Sequence, residues 1–255
     1  MNVTATPRKR LYQEIGQGLK DRIVSGEFAV GDRLPPEREI AAQCQVSRSV
    51  VREALIMLEL QDVVEVRKGS GVYIINLPRE EVDTKTSATE SDDAGPFEML
   101  QARQLLESHV AEFAATQVTK NDISRLRKAL QMEYLHFEDE SLDYDGDEMF
   151  HMAIAEATQN NVLADMVRDL WNRRQNSAMW RQLHARITNQ DYRKGWLEDH
   201  KKILQALQHR NPAEARDAMW QHLENVKQTL LELSDVDDPQ FDGFLFSSNP
   251  VIAVV

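Results

Sequence analysis

Four side chains with metal-ligand chemistry lie on apolar helical stripes in the second half of the sequence. Asp147 and His151 are four residues apart, so they share one face of a helix. His200 and His222 each lie among apolar residues at helical spacing in two further segments. Three imidazoles and a carboxylate suit a divalent transition metal such as Zn, Ni or Mn, with positions left for water or a ligand. A histidine on an apolar stripe is more often a hydrogen-bonded core residue, and spacing alone leaves both interpretations open.

A second set of side chains, nearer the N-terminus, has the chemistry of DNA recognition. Arg48 and Arg52 are one turn apart on a predicted helix, and arginine is the preferred bidentate partner of guanine. Ser47 is a good N-cap for that helix. Arg38 leads the preceding helix, where a phosphate contact is expected. The alternative is that the two arginines form surface ion pairs with one of three acidic residues, Glu37, Glu39 or Glu53.

The elements around these arginines predict a winged helix-turn-helix. Hydrophobic spacing and turn signals indicate three helices and then two strands, over residues 11–23, 37–44, 48–60, 63–67 and 72–75. The second helix of such a helix-turn-helix enters the major groove with its N-terminal residues forward. Arg67, Lys68 and Gly69 lie at the wing tip, where a wing crosses the DNA backbone or reaches the minor groove.

A polar segment divides the chain. Residues 78–95 have little to bury, which predicts a linker between a DNA-binding domain over 1–77 and a second domain over 96–234. A long surface loop within one domain is the alternative. Helical patterns then follow near residues 97–117, 121–138, 147–159, 162–181, 192–209 and 212–233. We therefore expect a mainly α fold, in which a winged helix-turn-helix is joined to an all-α bundle of about six helices and a C-terminal tail over 235–255.

Charge and cysteine content limit the possible binding partners and the cellular compartment. The net charge is −12, but the first 78 residues carry 11 basic and 10 acidic side chains, whereas the remainder carries 19 and 32. An evenly acidic chain would repel nucleic acid, so a DNA-binding face must lie in the N-terminal third. No apolar run approaches the roughly 18 residues of a membrane span, and no secretory signal is visible. The single cysteine, Cys44, excludes an intrachain disulfide, which fits a reducing cytoplasm. Together with the lack of a long apolar run, this predicts a cytoplasmic protein without a membrane partner.

Three runs in the first 76 residues resemble the GntR family of bacterial repressors. They are Asp32-Arg-Leu-Pro-Pro-Glu-Arg-Glu-Ile-Ala, Val46-Ser-Arg-Ser-Val-Val-Arg-Glu-Ala-Leu and Lys68-Gly-Ser-Gly-Val-Tyr-Ile. The resemblance implies that Arg38, Arg48 and Arg52 contact DNA and that the wing glycine, Gly69, approaches the DNA backbone. Ser47 and Ser49 complete the expected DNA-binding set. The chain departs from the family at two positions that often hold glycine, Gln45 and Asp62.

The second half resembles the FCD effector domain of the FadR-type branch of that family, in runs over 147–157, 199–207 and 218–223. The resemblance implies that a divalent metal binds the same four residues, Asp147, His151, His200 and His222. It also implies that Arg103 binds the carboxylate of an effector, whereas an exposed ion pair with Glu107 is the alternative. Arg174 is a further candidate for the effector site. The tryptophans are expected to pack the bundle rather than bind a ligand: Trp171, Trp180, Trp196 and Trp220.

Runs over 95–108, 218–228 and 241–246 resemble repressors of bacterial hexuronate catabolism. The leading hypothesis is a ligand-responsive repressor, in which a homodimer would place two helices about one DNA turn apart on a near-palindromic operator in double-stranded DNA. A hexuronate bound near the metal, such as glucuronate, galacturonate or fructuronate, would release that operator. Two alternatives stay open. One is a DNA-binding protein with a purely structural metal site and no uronate effector. The other is a metal-dependent hydrolase, for which the sequence offers no separate general base.

Overall fold

A computed structural model describes residues 10–67, 69–78, 93–138, 146–185 and 193–235. These residues form ten α-helices and one two-stranded sheet, so the expected mainly α fold with a winged helix-turn-helix is confirmed. The chain divides into two compact units. Among the described residues, the first unit contains those up to Phe97 together with 178–185 and 233–235. The second contains those from Glu98 to Ser177 and from 193 to 232.

The first unit is built on three helices and a hairpin: α1 (Leu11–Val24), α2 (Glu37–Cys44), α3 (Arg48–Leu60), β1 (Val64–Arg67) and β2 (Gly71–Ile74). The apolar faces of the helices meet the hairpin in one core, which includes Leu19, Ile23, Ile40, Val51, Leu55, Leu58, Val64, Val72 and Ile74. The two strands are antiparallel, with Val64 opposite Ile74 and Arg67 opposite Gly71. This core therefore fixes the position of α3 and of the wing.

Two non-glycine residues adopt left-handed backbone where the family often has glycine. Gln45 ends α2 with φ 56°, and Asp62 follows α3 with φ 55°. The backbone N–H of Val46 donates to the carbonyl of Ala41 at 3.1 Å, which ends α2 in a tight turn. Aspartate tolerates this conformation better than most residues, whereas glutamine adopts it at a steric cost. The helix-turn-helix geometry therefore forms without a glycine in the turn.

The helical half of the chain contains α4 (Pro96–Gln117), α5 (Lys120–Glu138), α6 (Gly146–Ala157), α7 (Asn161–Asn176), α8 (Ala178–Ala185), α9 (Arg193–Gln208) and α10 (Pro212–Leu233). The side chain of Asn160 caps α7 by accepting from the N–H of Val162 at 3.0 Å. Apolar residues of the second unit are buried on each of its helices, including Ala111, Leu126, Phe150, Trp171, Ile203 and Leu223. Within the described ranges, every helix is too short or too polar to cross a membrane.

The helix predicted near residues 162–181 is two helices, so seven rather than about six follow the linker among the described residues. Ser177 separates α7 from α8 with extended backbone, at φ −71° and ψ 123°. The carboxylate of Asp93 accepts a hydrogen bond from the N–H of Met179 at 3.1 Å, which satisfies the first turn of α8. This partner lies 86 residues away in the sequence.

Described residues on both sides of the polar segment predicted as a linker form hydrogen bonds with the first unit, called the winged unit below. Before the linker, the side-chain amide of Asn76 donates to the carbonyl of Asp62 at 2.8 Å. After it, the Tyr12 hydroxyl donates to the carbonyl of Asp93 at 2.6 Å. The Glu53 carboxylate on α3 accepts from the N–H of Phe97 at 2.8 Å, in the first turn of α4. The winged unit therefore supplies the cap for the helix that follows the linker.

Candidate functional site

The structure brings together the four residues that the sequence named as metal ligands. Asp147 and His151 come from α6, His200 comes from α9, and His222 comes from α10. All four are buried, and one potential ligand atom from each lies within 4.8 Å of the others. The cluster lies wholly within the second unit. Helical phase predicted that these side chains point inward, and the packing of three helices brings them to one place.

A glycine allows the helix that carries two of these residues to pack closely on its neighbour. Gly146 begins α6, and a Cβ atom there would lie 2.6 Å from the backbone of Glu133 on α5. Backbone atoms cannot move aside as a flexible side chain can, so only glycine permits this approach. The contact places Asp147 at the start of α6 beside the part of α5 that carries Glu133.

Carboxylates orient the histidine rings. Glu133 Oε2 lies 2.7 Å from His200 Nδ1, and the carboxylate of Glu107 hydrogen-bonds to His151 Nδ1. A carboxylate at Nδ1 holds the proton there and leaves Nε2 as the free, basic nitrogen. Sequence reasoning missed Glu133, although an acidic residue on the buried stripe of α5 that includes Leu126 and Ala129 was a signal for it.

The atoms that face the centre of the cluster fit a divalent cation. His200 Nε2 and His222 Nε2 are 3.1 Å apart, and His151 Nε2 is 3.4 Å from Asp147 Oδ1. His151 Nε2 is buried, and apart from this contact with Asp147 it has no hydrogen-bond partner among the described residues. Imidazole nitrogens and one carboxylate oxygen are the donors that Zn, Ni and Mn accept in proteins. The donor set therefore suits such a metal and does not distinguish between these three.

The pKa shifts of His222 and Asp147 favour the protonation states in which these residues bind a metal. Burial lowers the pKa of His222, and the neighbouring His200 lowers it further, to about 3, so the ring is neutral at neutral pH. Burial alone would raise the pKa of Asp147, but its hydrogen bond to His151 and the charges of His151 and Arg174 hold it well below the usual value. A neutral imidazole and an ionised carboxylate are the forms that bind a metal.

The pKa of His151 shifts the other way. Burial lowers it, but the charge of Glu107 and the hydrogen bonds to Asp147 and Glu107 outweigh burial and raise it above the usual value. Metal binding at this ring would therefore release a proton.

The two arginines named as effector contacts both lie beside the cluster. Arg103 Nε donates to Glu107 Oε1 at 2.6 Å, and Arg103 Nη2 is 3.5 Å from His151 Nδ1. Arg174 Nη1 is 3.5 Å from Asp147 Oδ2. The pair of Arg103 and Glu107, considered above as an exposed alternative, does form, but both of its side chains are at most 4% exposed.

Trp171 connects these arginines to the cluster. The guanidinium carbons of Arg103 and Arg174 lie over its ring, 4.2 and 4.5 Å from the centroid. The centroid of the His151 ring is 5.4 Å away. Trp171 is buried in the bundle core, as expected from its spacing. It also touches three side chains of the site, which spacing could not reveal.

The residues expected to bind DNA differ in their exposure. Arg38 on α2 is exposed. Ser47 precedes α3 as its N-cap residue, but its hydroxyl bonds to that of Ser49 at 2.8 Å and makes no side-chain cap. The side chain of Arg48 is 43% exposed, and its guanidinium is paired with Asp235, just beyond α10.

Arg52 does not lie on an exposed face as expected for a base-reading residue. Its side chain is 0% exposed and forms an ion pair with Glu37 on α2, which is 1% exposed. Arg52 Nη1 also donates to Ser234 Oγ at 2.7 Å, and Nη2 lies 3.6 Å from Asp235 Oδ1. The surface ion pair weighed as the alternative therefore occurs as a buried one. Helical phase placed Arg52 correctly on the face of Arg48, but it could not show that distant residues cover that face.

The wing tip is formed by the ends of β1 and β2. Arg67 is exposed, donates to Glu65 at 2.8 Å and lies over the ring of Tyr73. Gly69 has φ 70°, a left-handed conformation that favours glycine in the turn. Lys68, the remaining residue of the expected wing set, lies outside the described residues.

Comparisons with known proteins identify the family. Residues 11–74 match "Bacterial regulatory proteins, gntR family", and residues 98–225 match the FCD domain. An "Uxu operon regulator" from Haemophilus influenzae is 54% identical over 95% of this chain and 90% of its own length. An "Uxu operon transcriptional regulator" and an "Exu regulon transcriptional regulator" from Escherichia coli are 51% and 47% identical, each over 97% of this chain and 97% and 95% of their own lengths.

These relatives are transcription regulators rather than enzymes, which removes support from the hydrolase alternative. The resemblance of the sequence to the GntR family and to the FCD domain is confirmed over residues 11–74 and 98–225. The chain therefore belongs to the gntR family of bacterial regulatory proteins, as a transcription regulator in which a winged helix-turn-helix is followed by an FCD domain.

Proposed function

We propose that this regulator represses hexuronate utilisation genes and leaves its operator when a uronate binds beside a divalent metal in the FCD domain. The observation that carries the proposal is the placement of two guanidiniums against the four-residue cluster, that of Arg103, which is buried, and that of Arg174, which is 14% exposed. The names of the Uxu and Exu relatives support the class of genes. A guanidinium binds a carboxylate through paired hydrogen bonds, which suits an acid as effector.

The balance of buried charge supports both a metal and an anionic ligand. The charged side chains packed around the histidines are three carboxylates and two guanidiniums: Asp147, Glu107, Glu133, Arg103 and Arg174. Asp199, a fourth carboxylate near His222, is also paired with Lys202 at 2.9 Å. A divalent cation leaves this set one positive charge in excess, and one effector carboxylate neutralises it. Buried charges are tolerated when they are paired in this way.

Different residues of the site would bind the metal and the carboxylate of the effector. Asp147, His151, His200 and His222 would hold the metal, which when bound supplies a Lewis-acidic position for an oxygen of the ligand. Arg103 and Arg174 would bind and orient the carboxylate. Burial of these groups excludes water and strengthens each charge interaction. A carboxylate next to a hydroxyl-bearing carbon, as in a hexuronate, has oxygens for both the cation and the arginines.

On the DNA side, we propose a homodimer that places two α3 helices in successive major grooves of a near-palindromic operator in the cytoplasm. Arg38 and Arg48 would contact that DNA with the wing residues Arg67, Lys68 and Gly69. Arg52, Ser47 and Ser49 complete the proposed set, although Arg52 must first leave its buried ion pair. For release, the uronate must bind the DNA-free state more tightly than the DNA-bound state.

Operator binding measured by fluorescence anisotropy tests this function. The DNA is the upstream region of the chain's own gene at fixed salt, titrated with glucuronate, galacturonate, fructuronate and tagaturonate, with and without a chelator. Arg174→Gln is compared with Arg168→Gln, a change at an exposed arginine of the same helix. We expect one uronate to release the operator from the wild type and from the control, and Arg174→Gln to need a higher concentration.

Three results would contradict parts of the proposal. If no uronate releases the operator, the effector class is wrong. If release is the same after chelation, the metal does not take part. If chelation unfolds the bundle while uronates change neither the melting temperature nor DNA affinity, the metal is purely structural.

A further inference from the structure

Trp171 on α7 has a buried hydrogen-bond donor that the fold does not use. The residue is 1% exposed, and its indole Nε1 has no hydrogen-bond partner among the described residues. Buried tryptophan N–H groups usually find a partner, because leaving one unsatisfied inside a protein is costly. The residues around this donor should therefore show why it has no partner.

The ring that carries this donor lies beside the residues of the proposed effector site. The guanidinium carbons of Arg103 and Arg174 lie over its ring at 4.2 and 4.5 Å, and the His151 ring centroid is 5.4 Å away. An indole N–H lies in the plane of the ring, so cations over the ring leave its edge unblocked. Arginine carries only donors, so neither guanidinium can accept the indole proton. The natural acceptor is an oxygen brought in with a ligand.

We propose that Trp171 is a specificity-determining residue of the effector site, and that its indole N–H donates to a hydroxyl or carboxylate oxygen of the bound uronate. The inference rests on the proposed function, since it needs an oxygen-rich acid beside Arg103 and Arg174. The two arginines recognise negative charge, which many acids carry. A neutral donor at a fixed position distinguishes acids by where their oxygens lie, because a ligand without an oxygen at that place leaves the indole N–H without an acceptor. Trp171 would therefore help to separate one uronate from its stereoisomers.

The test combines one conservative variant with a spectroscopic signal. Trp171→Phe keeps an aromatic ring for the guanidiniums and removes the N–H. Trp220→Phe, at a tryptophan that is 42% exposed on α10, is the matched control. The chain has four tryptophans, so ¹⁵N-labelled protein gives four indole N–H resonances, and Trp171→Phe assigns its own by removing it. Uronate affinity of the metal-loaded chains is measured by calorimetry, with metal content measured in parallel.

We expect the Trp171 resonance of the wild type to move downfield on adding the uronate, while the Trp220 resonance stays in place. We also expect Trp171→Phe to weaken uronate binding about tenfold, as for one hydrogen bond to a charged group, with Trp220→Phe unchanged. If the wild type binds a uronate but the Trp171 resonance does not move, this inference is wrong and the proposed function stands. If the wild type binds no uronate, both are overturned. Should Trp171→Phe lose metal or fail to fold, the Trp171 resonance is assigned by elimination from Trp180→Phe, Trp196→Phe and Trp220→Phe, and its shift in the wild type decides.

Discussion

Arg52→Ala is expected to destabilise the winged unit far more than the loss of a surface arginine would. The Arg52 and Glu37 side chains are 0% and 1% exposed, so the change leaves a carboxylate buried without its cation. Removing one partner of a buried ion pair costs about 3–5 kcal/mol of the free energy of unfolding. Loss of the hydrogen bond to Ser234 Oγ adds about 1 kcal/mol. That sum is a large fraction of the roughly 5–15 kcal/mol that stabilises a typical domain.

The measurement pairs urea unfolding, followed by circular dichroism, with operator binding at fixed salt. Arg67→Ala is the control for stability, because Arg67 forms an exposed pair with Glu65 that is worth about 0–1 kcal/mol. The double variant Glu37→Gln, Arg52→Met removes both charges and should recover much of the lost stability. If Arg52 also reads a base, that double variant still loses about 1–3 kcal/mol of specific operator affinity.

One result would refute this reasoning. If Arg52→Ala unfolds at the same urea concentration as the wild type, with the same dependence on urea, the buried pair contributes nothing measurable. Weaker operator binding by that variant would then report a DNA contact directly. If both stability and affinity fall, only the double variant can separate the two roles.

Three further predictions concern other parts of the molecule. Asp235→Asn should tighten operator binding by up to about fivefold at low salt, because Arg48 no longer pairs with a carboxylate; unchanged anisotropy would contradict this. His200→Ala should lower the metal content below that of the wild type in elemental analysis while operator binding survives, and full metal occupancy would remove His200 from the ligands. Burial raises the pKa of Tyr12 to about 12 from its ordinary value of 10. The contribution of the neutral Tyr12 side chain to stability is therefore complete below pH 10 and is lost as the pH rises towards 12. The melting temperature of Tyr12→Phe should therefore fall less steeply over that interval than that of the wild type.

The cluster of one aspartate and three histidines shows how much helical phase alone can predict. Spacing placed Asp147, His151 and the other two histidines on inward stripes, and three packed helices then made one cluster of them. Phase could not show that Glu133 meets His200 or that Trp171 contacts both arginines. Such pairings depend on how helices far apart in the sequence pack together, which a local pattern does not encode.

Helix α3 and the break between α7 and α8 show the same limit. Local pattern gave α3 its bounds and placed Arg48 and Arg52 on one face. It could not show that Ser234, 182 residues further along, would cover Arg52. Likewise, continuous helical spacing across Ser177 gave no sign of a break, because the carboxylate that caps α8 belongs to Asp93. Both departures involve a polar partner far away in the sequence, which a local pattern does not show.

The attachments on either side of the linker have a consequence for how its length can vary. Asn76 on one side of the polar segment predicted as a linker, and Asp93 and Phe97 on the other, are all hydrogen-bonded to residues of the winged unit, so the chain leaves this unit and returns to it. The entropy of closing a flexible loop grows only logarithmically, and doubling its length costs about 0.6 kcal/mol. Insertions or deletions in this segment should therefore leave the start of α4 in register with α3. We therefore expect the length of this segment to have little effect on the free energy of unfolding, whereas loss of the Glu53 carboxylate should lower it.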